Sequence, residues 1–155
     1  MSALIRPVQG SDLNALVELE EQAFNGDRFS RRQLWHLIHR ANAQTLVVEA
    51  DGQVLGYGTL LLRRNSSNAR LYSLGIAPEA RGLGYGRQLL DALEALCPDL
   101  GCTQLTLEVR ADNRTAMALY RRSGFRLLSW IDDYYEDGCA AWRMRKSLSD
   151  VQLAG

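Results

Sequence analysis

Apolar and polar residues alternate along the chain with two different periods, which predict a mixture of helices and strands. A first helix is predicted after Ser11-Asp12, a typical helix N-terminus. The apolar face of this helix carries Leu13, Leu16, Leu19 and Phe24. A second helix is predicted from Ser30 onward, because Ser30 and Gln33 have the spacing of a capping box.

Shorter segments rich in aliphatic and β-branched residues predict seven strands. Asp51-Gly52 lies between two of them and is a strong hairpin signal. Two later helices are predicted, and Gly124 is a C-cap candidate for the last one. The strands are expected at residues 4–8, 45–50, 54–62, 70–76, 103–109, 125–131 and 140–146, and the later helices at 83–96 and 113–122.

This order of elements predicts one α/β (α+β) domain, with a sheet of about seven strands flanked by about four helices. The domain is expected to span residues 1–147. Residues 148–155 have a weak pattern, which is typical of a frayed tail or of the start of a connection to another domain.

The composition excludes several classes of protein. Hydrophobic residues make up 46% of the 155 positions, as in ordinary globular domains, and no apolar run is long enough to span a bilayer. No charged and apolar leader opens the chain, which favours a cytoplasmic protein without a membrane partner. The 18 basic and 18 acidic residues cancel, which argues against an extended nucleic-acid surface and leaves room for a local basic patch.

The cysteines and histidines predict neither a disulfide framework nor a metal site. Cys97, Cys102 and Cys139 form an odd set without a Cys-x-x-Cys pair, as expected of reduced thiols in a cytoplasmic protein. His36 and His39 lie three residues apart without further ligands nearby in the sequence, so we interpret them as ordinary helix residues.

Gly82, Gly84 and Gly86 alternate where a predicted strand turns into a helix. Such a turn presents unpaired N–H groups at the positive end of a helix dipole, and phosphates suit that environment. A P-loop is excluded because the chain has no Gly-Lys pair, and a Rossmann fingerprint is excluded because Arg87 replaces its third glycine. The alternative is a turn whose glycines only allow close packing.

Two stretches resemble the acetyl-CoA site of the GNAT superfamily of N-acetyltransferases. Arg81, Gly84 and Gly86 occupy the fixed positions of its motif R/Q-x-x-G-x-G/A, and residues 107–125 resemble the second half of the site. Within the superfamily, the chain is most similar to the bacterial ribosomal-protein alanine N-terminal acetyltransferase group, which also carries a D/N-Y-Y segment, here Asp133-Tyr134-Tyr135. The resemblance implies a mixed, mostly antiparallel sheet.

The resemblance also implies that acetyl-CoA is the cosubstrate, without a metal, and that residues 82–87 cradle its pyrophosphate. Glycines there would let N–H groups approach phosphate oxygens without an intervening Cβ, and Arg81 and Arg87 would add charge. The strand residues would offer their backbone to pantetheine, and Asn113 would act both as an N-cap and as a cofactor ligand. The implied cofactor-binding residues are Leu74, Gly75, Ile76, Arg81, Gly82, Leu83, Gly84, Tyr85, Gly86, Arg87 and Asn113.

Two side chains are candidates for the chemistry of acetyl transfer to an amine. The resemblance points to Glu108 as the general base, and the alternative is a solvated or ion-paired carboxylate, since Arg110 and Arg114 are near in sequence. The resemblance also points to Tyr120 as the acid that protonates the leaving thiolate. A phenol with a pKa near ~10 is protonated at neutral pH. The alternative for Tyr120 is an aromatic core residue.

The acceptor is expected to be a protein or peptide N-terminal amine, in a groove lined by Phe24, Phe29, Tyr134 and Tyr135. Two alternatives remain: acetylation of a small amine or a lysine side chain, and a non-catalytic acyl-CoA module of a larger protein. The stretch 25–28 departs from the alanine-acetyltransferase pattern and bears on the acceptor. The oligomeric state is expected to be monomer or dimer.

Overall fold

The predicted order of strands and helices is found in a computed structural model, which describes residues 3–23, 28–40 and 42–148. The strands are β1 (Leu4–Pro7), β2 (Ala43–Ala50), β3 (Gln53–Leu62), β4 (Asn68–Ile76), β5 (Gln104–Arg110), β6 (Arg126–Ile131) and β7 (Ala141–Ser147). The helices are α1 (Leu13–Ala23), α2 (Arg31–His39), α3 (Tyr85–Leu96) and α4 (Arg114–Arg122).

The seven strands form one sheet in the order β1-β2-β3-β4-β5-β7-β6. Every neighbouring pair is antiparallel except β4 and β5, so the sheet is mixed and mostly antiparallel, as expected. The last strand of the sequence, β7, lies between β5 and β6, and this leaves β6 at the edge. The parallel pair connects only Asn68–Leu71 with Gln104–Leu107.

Hydrophobic clusters lie on both faces of the sheet. The larger cluster packs under α3 and α4 and includes the buried Leu89, Leu93, Leu105 and Leu107. The smaller cluster joins α1 and α2 to β2 and β3. In β5, side chains therefore alternate strictly: residues 105, 107 and 109 are buried under the helices, whereas 104, 106, 108 and 110 face the opposite side and are half-buried.

Helix α3 begins two residues later than its apolar pattern predicts. Gly84 is its N-cap and has the left-handed φ of 86°, so Leu83 and Gly84 belong to the preceding turn. The capping box at the start of α2 is present as predicted, with the Gln33 N–H donating to Ser30 Oγ over 3.1 Å.

The cysteines are free: Cys97 and Cys102 are buried, and Cys139 is half-buried. Burial raises the pKa of the Cys97 thiol to about 12, so this thiol is unreactive at neutral pH. Leu148, which the predicted domain boundary places in the tail, is buried against the core, and its N–H donates to Thr103 O. The rest of the predicted tail lies outside the described residues. None of the described helices has the length and apolar character of a membrane span.

Candidate active site

A cleft opens in the middle of the sheet where β4 and β5 separate beyond Leu71 and Leu107. On its other side β4 remains paired with β3, and the Ala77 N–H donates to Leu55 O. Backbone groups alternate in direction along a strand, so those of Ser73 and Gly75 point to β3 while those of Leu74 and Ile76 point into the cleft. Two of the three predicted strand residues thus present hydrogen-bonding groups to the cleft.

The glycine turn lies at the end of this cleft, between β4 and α3. The first helical hydrogen bond of α3 runs from the Gln88 N–H to Gly84 O. Among the described residues, the N–H groups of residues 82–87 have no acceptor. An added Cβ on Gly82 would meet nothing within 4 Å, and both Gly82 and Gly84 have left-handed φ values of 81° and 86°. The turn is therefore an open cradle of N–H groups at a helix N-terminus, which favours an anion.

The two arginines that flank the turn have different roles. Arg81 donates to Ile76 O over 3.4 Å and to Ala23 O over 3.2 Å, so it joins the end of β4 to the end of α1. Arg87 forms an ion pair with Asp91 over 3.1 Å on the exposed side of α3. Arg87 therefore lies on the cradle helix, whereas Arg81 braces the backbone from which the cradle starts.

Asn113 caps α4, as predicted, by accepting a hydrogen bond from the Ala116 N–H over 3.1 Å. Helix α4 then carries Tyr120, which is buried on the cluster of α3 and packs edge-on against Phe125 at 5.7 Å between ring centres. Burial raises the pKa of Tyr120 well above that of a free phenol, and the nearby Tyr135 phenol raises it further. The Tyr120 hydroxyl is therefore protonated at any physiological pH.

Glu108 lies on β5 at the point where the cleft opens. Its carboxylate is only 7% exposed and is held from both sides: Arg70 Nε donates to Oε1 over 2.8 Å and Arg143 Nε donates to Oε2 over 2.9 Å. These arginines come from β4 and β7, the two neighbours of β5. Neither arginine was predicted from the sequence as a partner of Glu108. Arg70 could have been found, because it is a charged residue between Ala69 and Leu71 on a strand that is otherwise mostly apolar.

Aromatic residues surround Glu108 on the face of the sheet that α1 and α2 occupy. Phe29 stacks on Tyr72 at 5.0 Å between ring centres. The guanidinium carbon of Arg70 lies 5.2 Å from the centre of the same Tyr72 ring. Arg70 also donates to the Tyr134 hydroxyl over 3.1 Å. Tyr135 packs on Tyr134 at 4.9 Å and lies under the Arg110 guanidinium.

Three of the four residues predicted for the acceptor site, Phe29, Tyr134 and Tyr135, thus belong to one chain of contacts that also includes Tyr72 and Arg70. Phe24 lies outside the described residues.

A buried carboxylate on α1 holds the backbone of the segment that carries Phe29. Glu20 of α1 is 2% exposed, and it accepts hydrogen bonds from the Phe29 N–H and from the Tyr57 hydroxyl, each over 2.7 Å. Burial raises the pKa of Glu20, and these two donors oppose that shift. Glu20 fixes the backbone of Phe29 relative to β3, and the sequence alone did not single it out.

Comparison of the sequence with known protein families identifies the family to which this site belongs. The profile of the Acetyltransferase (GNAT) family matches residues 13–125. The chain belongs to the GNAT family of acetyltransferases. The matched range contains the cradle and both predicted catalytic residues, Glu108 and Tyr120.

Known GNAT proteins agree with this assignment over nearly the whole chain. The chain is 35% identical over 136 residues to an uncharacterised N-acetyltransferase of Methanocaldococcus jannaschii, covering 87% of this chain and 85% of that protein. It is 31% identical over 149 residues to the N-alpha-acetyltransferase RimI of Mycobacterium tuberculosis, covering 90% and 89%.

Among solved structures, the ribosomal-protein-S18-alanine N-acetyltransferase of Escherichia coli superposes with a TM-score of 0.86 at 25% identity, covering 95% of this chain and 94% of that one. The PaiA N-acetyltransferase of Thermoplasma acidophilum, solved with coenzyme A, has the same fold, with a TM-score of 0.81 at 22% identity and coverages of 95% and 99%.

These comparisons confirm the resemblance and the fold expected from the sequence. The protein is a GNAT N-acetyltransferase, and enzymes of this family take the acetyl group from acetyl-CoA.

Proposed function

We propose that the protein transfers the acetyl group of acetyl-CoA to the α-amine at the N-terminus of a polypeptide. The observation that carries the proposal is the position of Glu108, a carboxylate at the mouth of the cleft, next to a cluster of aromatic side chains that Arg70 connects to it. The names of the Mycobacterium tuberculosis N-alpha-acetyltransferase and of the Escherichia coli ribosomal-protein-S18-alanine N-acetyltransferase support the same class of acceptor.

The cleft and the glycine cradle form the donor side. The pyrophosphate of acetyl-CoA would bind the free N–H groups of residues 82–87, and the pantetheine arm would lie along β4, where Leu74 and Ile76 offer backbone groups. This path leads the thioester to the point where β4 and β5 meet, between Glu108 and Tyr120.

Glu108 would accept the proton of the incoming amine. An ionised carboxylate has about four lone-pair sites. Two of them are used by Arg70 and Arg143, and the others are available to an ammonium group or to a bridging water. An α-amine has a pKa near ~8 and a lysine near ~10.4, so the α-amine needs much less assistance from a carboxylate that two arginines already occupy.

The acetyl group is then transferred directly from the sulfur of acetyl-CoA to the amine nitrogen. The amine nitrogen attacks the thioester carbonyl and forms the C–N bond, and the resulting oxyanion would be stabilised by backbone N–H groups of the cleft. The C–S bond breaks as the carbonyl reforms. The proton on nitrogen passes to Glu108, and the neutral phenol of Tyr120 donates its proton to the thiolate as the C–S bond breaks. The resulting phenolate is a strong base, because burial raises the pKa of this phenol, and it takes a proton back from water.

The cradle predicts the first test. Replacing Gly84 by Asp is expected to raise the dissociation constant of acetyl-CoA about ten-fold or more, because a carboxylate would face the pyrophosphate. An added Cβ at Gly84 has Gln88 Nε2 at 3.9 Å as its nearest neighbour, so the structural cost of the substitution is its left-handed φ of 86° and not a clash, and thermal unfolding checks that the variant folds. Isothermal titration calorimetry measures the affinity.

Gly101→Asp is the matched control for this substitution. Gly101 also has a left-handed φ, 76°, with nothing within 4 Å of an added Cβ, and it lies far from the cradle in the sequence. Gly101→Asp therefore causes a similar backbone strain and adds the same negative charge as Gly84→Asp. Equal affinities for Gly84→Asp, the control and the parent would place the pyrophosphate elsewhere.

The acceptor class is tested with matched peptides. We expect an octapeptide with a free N-terminal alanine to be acetylated once, at its α-amine, with no modification of an internal lysine in the same peptide. Intact mass and fragment-ion spectra locate the acetyl group. Release of free coenzyme A thiol with lysine peptides or polyamines, and none with the N-terminal peptide, would contradict the proposal.

A further inference from the structure

A second group of arginines lies beyond Glu108 on the same face of the sheet. The register pairs Glu108 with Arg143 and Thr106 with Arg145 across β5 and β7, so Arg145 points to the same side as Glu108. Arg145 is in turn directly opposite Arg126 of the edge strand β6. Both side chains are exposed.

This arrangement places two like charges directly opposite each other in adjacent strands, which destabilises a sheet. Elsewhere on this face, arginines have partners: Arg70 and Arg143 share Glu108. By contrast, no carboxylate among the described residues lies within ion-pair distance of Arg126 or Arg145. An anion bound between these two arginines would relieve their repulsion.

The surface between them is concave. A shallow depression of about 380 Å³ is lined by Arg126, Arg145, Leu127, Leu128, Gly124 and Ser147. Helices α1 and α2 pack on β2, β3 and β4, and so they leave this part of the face accessible.

Strand geometry fixes how far this depression lies from the reaction. Measured from Glu108, Arg145 lies about 7 Å along the strands and about 5 Å to the side on β7, and Arg126 lies about 5 Å further to the side on β6. An extended acceptor advances about 3.3–3.6 Å for each residue. A peptide with its amine at Glu108 therefore reaches this distance with its third or fourth residue, only one of which directs its side chain toward the sheet.

We infer that Arg126 and Arg145 form a specificity subsite for a carboxylate side chain at the third or fourth position of the acceptor polypeptide. The inference rests on the proposed N-terminal acetylation and names the acceptors that this surface favours: chain ends followed by acidic residues. Chain ends followed by lysine or arginine would be repelled. The net charge of zero conceals this local excess of positive charge.

The test compares three octapeptides that differ only at positions 3 and 4, with two glutamates, two glutamines or two lysines. We expect kcat/KM to be about five-fold higher for the glutamate peptide than for the glutamine peptide, as for exposed but well-oriented ion pairs, and lowest for the lysine peptide. At about 1 M salt, where the Debye length is about 3 Å, the three values should converge.

Arg145→Gln and Arg126→Gln should each reduce the ratio between the glutamate and glutamine peptides toward one. Thermal unfolding checks that they fold, and removal of one like charge should leave the midpoint unchanged or raise it. Arg121→Gln is the matched control, because Arg121 is an exposed arginine of α4 on the other side of the sheet. It should preserve the ratio of the parent.

Three outcomes would overturn the inference, and they are distinguishable. Equal rates for the glutamate and glutamine peptides in the parent, at low salt, would remove the subsite and leave N-terminal acetylation intact. Variants that keep the preference of the parent but lose binding to a single-stranded RNA oligonucleotide would make this face a nucleic-acid site. Failure of all three peptides as acceptors would refute N-terminal acetylation itself, and the subsite with it.

Discussion

Replacement of Glu108 by Gln is expected to lower kcat for acetyl transfer by about 10²–10⁴-fold, with little change in the affinity for acetyl-CoA. Glutamine keeps the shape of the side chain but cannot take a proton from the amine. The donor site should be unaffected, because the cradle at residues 82–87 belongs to a different element. Steady-state kinetics with an N-terminal peptide, combined with calorimetry for acetyl-CoA, measures both quantities.

Loss of charge at Glu108 also leaves Arg70 and Arg143 without their shared carboxylate, so an indirect effect must be separated from loss of the base. Glu18→Gln, at an exposed position of α1, controls for the loss of one negative charge. If the base role is correct, peptides with a less basic α-amine should regain much of the rate in the Glu108→Gln variant, since their amines deprotonate without help. A variant as fast as the parent across the pH range would assign Glu108 to structure alone.

Replacement of Tyr120 by Phe should slow acetyl transfer by a similar factor, about 10²-fold or more, through loss of the proton donor. The ring and its edge-on contact with Phe125 remain, so the variant should fold. An acyl donor with a more acidic leaving thiol should restore much of the rate, because that thiolate departs unprotonated. Single-turnover experiments with both donors measure the chemical step directly.

The pH profile gives an independent check on Tyr120. Burial raises the pKa of this phenol above its usual value of about 10, so the acid form is present throughout the neutral range and is lost only as the pH rises through that higher pKa. The parent should therefore show no fall in rate caused by Tyr120 below about pH 10. Equal slowing of the variant with both donors would mean that Tyr120 positions the cofactor instead.

The local parts of this structure could be predicted from the sequence. Capping residues such as Ser30 and Asn113, the Asp51-Gly52 turn and the glycines before α3 act on their immediate neighbours, so their patterns indicate where elements begin and end. The cradle at residues 82–87 is a local feature of the same kind, because its N–H groups come from one continuous stretch of the chain. The order of elements and the shape of the glycine turn were therefore predictable.

The surroundings of Glu108 were not predictable in the same way, because they depend on strand register. Sequence proximity suggested Arg110 and Arg114 as ion-pair partners, whereas Glu108 is paired with Arg70 and Arg143, which lie 38 and 35 residues away. The insertion of β7 between β5 and β6 brings Arg143 to Glu108, and no local pattern indicates that insertion. Arg110 instead pairs with Asp112 and Asp137.

The separation of β4 from β5 links the stability of the fold to the proposed binding of the donor. The sheet consists of two blocks that share only four parallel residue pairs, and the rest of the seam is an unpaired strand edge inside the molecule. A donor that occupies this seam substitutes for a strand and binds only the folded chain. At a concentration of 100 times its dissociation constant, such a ligand adds about 2.7 kcal/mol to the free energy of unfolding. The midpoint of thermal unfolding would then rise with the concentration of acetyl-CoA.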